Sequence, residues 1–467
     1  MRGKMHLNKG ASIYYLFQIP YMGGYITSKK IISLFLCIIF LSAASGCSST
    51  SSKSSKTSSQ SPSTSNTSLK NDVLMQPEQM KEDLDYLYKV IAETHPKMKN
   101  QNFKNDYDKL YKKLYSKIKK QMAVQEFFFI AKEAMMPFHD GHTSVSYMAD
   151  SNSNIKMIPL KFVWLKDGMI ISENTDLLKK GDKILSIGNK EPEQILKEMK
   201  KIIPAENDEW VKFRSQNLLL NSIYLNKLGL ISKNCVSAKI EHMSGSIETI
   251  NLPLTSISDN SFQNIKPYSY EIRKDNGIAL FHLNQCLDDE GYRKMLNDFF
   301  NEVQSSSIKK IAVDLRQNGG GNSEVIDDFL MHIKIDHYIG YTDRRISQIS
   351  PEIKVHHDSS NLYKGKIYVL TSSNTFSSAN WFAVIFKYNK IGTIIGEPTG
   401  NAPSHYGYPV SFTLPNSKLL ASISKNDWLS PYLDDSKNAL DPNIYIPLTR
   451  NNVVSGNDPC IDWIIKN

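Results

Sequence analysis

Long apolar runs are missing from this sequence. No stretch of about 20 consecutive apolar residues occurs in its 467 residues, which excludes a permanent membrane-spanning helix in the body of the chain. Cysteine is scarce. Its positions, Cys37, Cys47, Cys235, Cys286 and Cys460, form no C-x-x-C pair, so neither a zinc ribbon nor a dithiol centre is indicated and no spacing calls for a disulfide. The His-Glu-x-x-His spacing of zinc peptidases is absent, and the Gly319-Gly320-Gly321 run lacks the Lys-Ser/Thr of a phosphate-binding loop. Neither a metal nor another cofactor is expected. Acidic residues are outnumbered, giving a net charge of +9, but the lysines are spread along the chain and not gathered into a stripe. A nucleic-acid partner is therefore not expected; the charge favours solubility and some attraction to anionic surfaces.

What is present is ordinary globular material, 40% hydrophobic and 22% charged, long enough for two or three domains. At the N-terminus Lys29-Lys30 precede an apolar run, Ile31 to Leu41, of the length of a signal-peptide core. Ser42-Ala43-Ala44-Ser45-Gly46-Cys47 follows. Small residues ending in Gly-Cys resemble a bacterial lipobox, with Ala44 where Leu is commoner. The resemblance implies lipid on Cys47 and a protein anchored on the outer side of a bacterial cell membrane. Residues 1–47 are thus expected to be a signal peptide with lipobox. Residues 48–72 are nearly all Ser, Thr, Lys, Asn and Gln, cannot bury a core, and read as a disordered tether.

Residues 73–150 carry helical periodicity. Met80, Leu84, Leu87 and Ile91 make one stripe, and Phe103, Tyr107, Leu110, Leu114 and Ile118 make another. This helical domain ends at Pro137, before Phe138-His139-Asp140-Gly141-His142-Thr143. Residues 151–265 change period. Leu178-Lys179-Lys180-Gly181-Asp182-Lys183-Ile184-Leu185 resembles the late part of a PDZ domain without its carboxylate-binding loop, so the region is read as PDZ-like or simply β-rich. Residues 266–467 alternate strand and helix, and the near-continuous apolar run Ile308 to Leu315 suits a sheet covered on both faces. The fold class is α/β in this core and α+β overall.

Two strand-to-helix junctions in the core could carry chemistry. Asp314-Leu315-Arg316-Gln317-Asn318-Gly319-Gly320-Gly321 ends one strand with a turn that lets backbone approach an anion closely. Ile367 to Leu370, then Thr375-Phe376-Ser377-Ser378-Ala379, is a strand, a tight turn and a helix start, a geometry that exposes a nucleophilic serine beside free N–H groups. Taken alone, Ser377 and Ser378 could equally be helix caps.

Together with Gly396-Glu397-Pro398-Thr399-Gly400, these motifs resemble in order and spacing the core of the C-terminal-processing and tricorn-type serine peptidases. The similarity extends from about residue 76 to the C-terminus. It implies a core of the processing-peptidase, crotonase-like type and an endopeptidase acting on peptides or unfolded proteins. Ser377 falls on the nucleophile. The N–H groups of Ser378 and Gly320, with Gly321 as alternative, fall on the oxyanion hole. The processing branch uses a Lys where this sequence has Ala402, and no Lys lies between Gly396 and Tyr408, so the tricorn-like branch is the better match. That branch implies His142 as base, with His405 as the alternative. Its acid falls on Asp435, or next Asp434, where the family usually has Glu. His139 and Asp140 read as turn or supporting residues. A serine esterase, or an inactive relative that only binds peptide or ligand in the same cleft, are the other readings.

Overall fold

The computed structural model describes residues 74–147, 155–256, 265–432 and 436–467. The expected signal peptide, Cys47, the tether, and both Asp434 and Asp435 lie outside the described residues. No helix among the described residues is long and apolar enough to cross a membrane.

Three amphipathic helices come first, α1 (Pro77–Thr94), α2 (Gln101–Lys117) and α3 (Val124–Met135). Pro77 opens α1, where its missing N–H has no intrahelical role. Met80, Leu84, Leu87 and Ile91 form its buried stripe, and Tyr107 and Leu114 of α2 meet Phe127, Phe128 and Ala131 of α3 in the same core. After Pro137 the chain turns and enters a short strand, β1 (Ser144–Ser146).

A five-stranded antiparallel sheet follows: β2 (Phe162–Leu165), β3 (Gly168–Ile171), β4 (Lys183–Ile187), β5 (Cys235–Glu241) and β6 (Ile247–Pro253), neighbours in that order. Between β4 and β5 run α4 (Pro192–Met199), α5 (Asp208–Leu218) and α6 (Ser222–Lys227). The helices and this sheet share one continuous apolar core from Met75 to Leu254, which also takes in Leu414, Leu419, Ala421 and Ile423. Residue 150 therefore marks a change of periodicity and not a break in packing.

The α/β expectation for the C-terminal half is met. β7 (Tyr268–Arg273) pairs antiparallel with β8 (Ile278–Leu283). Then β8, β9 (Lys310–Asp314), β10 (Lys366–Thr371), β11 (Thr393–Gly396) and a last strand at Ile444–Tyr445 run parallel. Side chains alternate across this sheet. Phe281, Ile311, Val313 and Val369 face α7 (Glu290–Ser305), α8 (Glu324–Leu330) and α9 (Ser378–Tyr388). Leu280, Ala312 and Leu370 face α10 (Pro459–Lys466) through Ile461 and Ile464. Phe382 and Phe386 of α9 are fully buried, each contributing roughly 1.5–3 kcal/mol by area removed from water.

A hairpin, β12 (His405–Thr413) and β13 (Leu420–Leu429), leaves this core and reaches the helical half. There β13 pairs with β1, Val145 opposite Ala421 and Ser144 opposite Ser422. Asp83 of α1, fully buried, accepts the N–H groups of Asn416 and Ser417 in the hairpin turn, each at 2.7 Å. These contacts set the 139–143 turn against the end of the parallel sheet.

Candidate active site

The loops after β9 and β10 lie side by side at the carboxyl ends of parallel strands, the usual place for a site in such a sheet. Hydrogen bonds lay one on the other. Ser372 N–H donates to Thr375 Oγ1 at 3.0 Å, and that hydroxyl donates to Leu315 O at 3.0 Å. Phe376 N–H donates to Asn318 O at 3.1 Å, while Asn318 Nδ2 is anchored on Leu283 O at 2.8 Å. The Asp-Leu-Arg motif that precedes the turn is structural. Arg316 binds both Asp314 and Asp458, and Asp458 caps α10. Burial opposes the charge of Asp314, but Arg316 outweighs it and holds the carboxyl well below its usual range.

Ser377 sits at the head of α9 with φ 54° and ψ −126°. Such a conformation is disfavoured for a residue with a side chain, and it is the sharp strand-to-helix turn that lifts a serine hydroxyl out of a sheet. Ser377 N–H donates to Asn401 Oδ1 at 2.7 Å. The glycine turn abuts it: Gly320 has φ +105°, and a Cβ there would lie 2.6 Å from Ser377 Cβ and 3.1 Å from Ser378 N. Gly320 N–H, expected to face an oxyanion, is donated instead to Asn318 Oδ1 at 2.8 Å. Its alternative, Gly321 N–H, and Ser378 N–H have no acceptor among the described residues. Ser378 Oγ donates to Gly321 O at 2.7 Å, so this side chain pins the turn.

His142 lies against the nucleophile loop. Its ring is 4.5 Å from that of Phe376, the residue before Ser377. Only 7% of His142 is exposed, and neither ring nitrogen has a hydrogen-bond partner among the described residues, Ser377 Oγ included. Behind it Asp140 Oδ1 stands 3.5 Å from Nδ1 and accepts the His142 N–H at 2.9 Å. Asp140 is fully buried; its Oδ2 accepts Thr143 Oγ1 at 2.5 Å and Ser424 Oγ at 2.6 Å, and His95 Nε2 lies 3.4 Å away. Burial alone would raise its pKa, yet the His142 and His95 rings beside it hold it well below the usual carboxylate range. Among the described residues the carboxylate behind His142 is thus Asp140, a more direct role than the supporting one expected for it.

His405 is occupied. Its ring stacks on His142 at 5.4 Å and 9°. Its Nε2 accepts Trp381 Nε1–H at 2.9 Å, and its Nδ1–H points to Tyr406 O at 2.7 Å. Burial, then the neighbouring His142, push its pKa down to about 3. Both nitrogens being used, it is a fixed neutral plate beneath His142 and not an alternative base.

Two residues between α4 and α5, Glu206 and Asn207, and two after β11, Thr399 and Asn401, join the parts. Glu206 accepts Gly141 N–H at 3.1 Å and Asn401 Nδ2–H at 2.6 Å. Asn401 in turn holds Ser377 N–H, so one carboxyl ties the base turn to the nucleophile turn. Burial, then the charge of Asp140, raise the Glu206 pKa well above normal. Asn207 Nδ2 donates to Thr399 O at 3.1 Å. Trp210 of α5 fills the space between: its ring stacks on Phe376 at 3.8 Å, and a Cβ at Gly141 or Gly400 would strike it at 2.8 or 2.9 Å. No motif in residues 205–265 announced these roles. Asp140, His142 and Glu206 do bring one ligand atom each within 4.8 Å of one another, but both carboxyls already receive protein donors, which fits a hydrogen-bonded cluster better than a ligand set.

Residues 277–446 match a sequence model described as Peptidase family S41. The tricorn protease of Thermoplasma acidophilum is 28% identical over 177 residues, which cover 36% of this chain and 15% of that protein. The chain thus spans only a small part of the length of that curated relative. The solved structure of mature CPAF complexed with lactacystin aligns with 84% of this chain and 97% of its own, at TM-score 0.62 and 12% identity. A CPAF mutant structure gives TM-score 0.64 at 13% identity, covering 84% and 97%. These two likenesses establish the fold.

Proposed function

We propose, from the match of residues 277–446 to Peptidase family S41, that the chain is a serine endopeptidase that cleaves peptides or unfolded proteins through an acyl-enzyme on Ser377. The observation that carries this is Ser377 itself, held at φ 54° at a helix N-terminus with His142 and its carboxylate packed against the same loop. Ser377 Oγ attacks the scissile carbonyl as His142 Nε2 takes its proton; Asp140 keeps Nδ1 protonated and stabilises the imidazolium without accepting the proton. Hydroxyl and imidazole must close to hydrogen-bond distance when substrate binds, as apo sites commonly require. Gly321 and Ser378 N–H groups, both without an acceptor among the described residues, receive the oxyanion. His142 then protonates the leaving amine, and water releases the acyl group by the reverse steps.

The protein acts, on this reading, outside the cytoplasm of a bacterium, tethered by lipid on Cys47. What supports the anchor is the small-residue run before Gly46-Cys47 and the polar tract after it.

The test is labelling with a fluorophosphonate followed by peptide mapping, together with hydrolysis of an unfolded protein. Label on Ser377, and loss of roughly 10⁴–10⁶ in kcat for Ser377→Ala and His142→Ala with little further loss in the double variant, is the expected result. Purified protein that hydrolyses the substrate equally well without Ser377 and His142 removes this site from the reaction.

A further inference from the structure

The side chain of His142 is 3% exposed, and both of its ring nitrogens are without hydrogen-bond partners among the described residues. Hydrogen bonds therefore do not set the plane of this ring at rest. The rings packed against it do. Phe376 lies 4.5 Å away at 37°, and His405 lies 5.4 Å away at 9°. Of the two, only His405 shares the plane of the imidazole.

His405 is itself held at both nitrogens. Trp381 Nε1–H donates to its Nε2 at 2.9 Å. An indole nitrogen only donates, so Nε2 accepts and the ring proton sits on Nδ1, 2.7 Å from Tyr406 O. Trp381 is fixed in turn. Its ring stacks on Tyr341 at 4.1 Å and 10°, Trp428 meets it edge-on at 4.9 Å, and Tyr341 Oη donates to Pro403 O at 2.9 Å. Trp381 also stands one turn beyond the nucleophile, its N–H donating to Ser377 O at 3.0 Å. Helix α9 thus carries Ser377 at its head and, four residues on, the indole that holds the ring against His142.

We propose that Trp381 and His405 are positioning residues for the peptidase reaction, the Trp381 N–H fixing the tautomer of His405 and the His405 ring face setting the plane of the His142 imidazole. Their role presupposes the peptidase reading, in which His142 is the base of Ser377. Base and nucleophile are then aimed through one helix before substrate arrives. The same contact keeps a second imidazole uncharged beside the base. The groups facing His405 are His142 and Asp140 from the base turn, Trp381 from α9, Tyr341, and Tyr406 O of its own strand. Burial, then His142, push its pKa down to about 3, against Tyr406 O and Asp140. A proton on Nε2 would also set one N–H against another. Without the indole the ring can charge as pH falls, and a cation there opposes the imidazolium that His142 must form.

The test uses the full chain. It reads kcat and KM on an unfolded protein, and fluorophosphonate labelling of Ser377, between about pH 5 and 8. His405→Ala should lower kcat by at least about tenfold with KM changed less than about twofold, the mark of a misaimed group and not of lost binding. The pair His405→Phe with Trp381→Phe keeps a flat ring and removes both hydrogen-bond partners together. It should recover most of that kcat. Trp381→Phe alone should lose turnover and labelling more steeply than wild type as pH falls, and the pair should not. If His405→Ala does not fold, judged by its thermal transition, the pair and Trp381→Phe decide. Unchanged kcat in His405→Ala, a pair at or below about a tenth of wild-type kcat, or one pH profile shared by Trp381→Phe and wild type overturns the assignment. Failure of the peptidase reading would look different: wild-type protein takes no label and hydrolyses nothing. The ring protons of His142 in the NMR spectrum then still report its placement. They should shift in His405→Ala and return toward wild type in the pair, and unmoved resonances overturn the assignment there.

Discussion

Gly320 and Ser377 are two halves of one steric arrangement. The serine holds a conformation that costs on the order of 1–3 kcal/mol, and the glycine gives it room. Gly320→Ala would press a methyl to 2.6 Å from Ser377 Cβ at a φ of +105°. We expect fluorophosphonate labelling to slow by at least about tenfold, with the melting temperature lowered, because the strain falls on backbone that cannot move aside. Asp140 carries a second expectation. Asp140→Asn should reduce kcat by about 10²–10⁴ through loss of imidazolium stabilisation, and Asp435→Ala should cost less. The reverse order, measured on one substrate, would assign the acid to Asp435. The sequence offered Ser377 and His142 as candidates because their neighbours form recognisable strings. It placed the acid on Asp435 instead, because the family resemblance puts that residue after the hairpin and Asp140 read only as part of a turn. In the structure Thr143 N–H donates to Asp140 O at 3.1 Å, and the turn leaves Asp140 Oδ1 3.5 Å from His142 Nδ1.

Among the elements, helices α1 to α3 and strands β9 and β10 were legible from apolar period, since each buries one clear face or both. Helix α5 was legible neither as an element nor as part of the site. Its Trp210 meets the candidate site only through Phe376, Gly141 and Gly400, which pack against its ring, and no local pattern encodes such partners. The β12–β13 hairpin was readable as strands, but not its destination. That destination depends on Asp83, one acidic residue on the apolar side of α1. Asp83→Ala should unfasten the hairpin turn from the helix, leaving the Asn416 and Ser417 N–H groups without their acceptor. We expect about 2–4 kcal/mol of lost stability in denaturant unfolding, and a loss of activity larger than the unfolded fraction explains, because Ser424 of the same hairpin holds Asp140.

For the molecule as a whole, the expected division near residue 150 followed a change in periodicity, whereas packing follows shape, and a single core spans that point. Separate expression of residues 73–150 should therefore give no cooperative folding transition. The N-terminal segment makes its own prediction. Cys47→Ser should move the protein from the membrane fraction to the soluble fraction, or leave it unprocessed with a higher mass. Unchanged fractionation and unchanged mass would remove the lipid anchor.

Asp140 and Ser424 are hydrogen-bonded across 284 positions of chain. In the order of synthesis the hairpin that supplies Ser424 follows both His142 and Ser377. A growing polypeptide thus possesses a nucleophile and an imidazole before it possesses the scaffold that orients them. On the proposed mechanism, a nascent chain is without its oriented base until that hairpin has emerged and β13 has paired with β1.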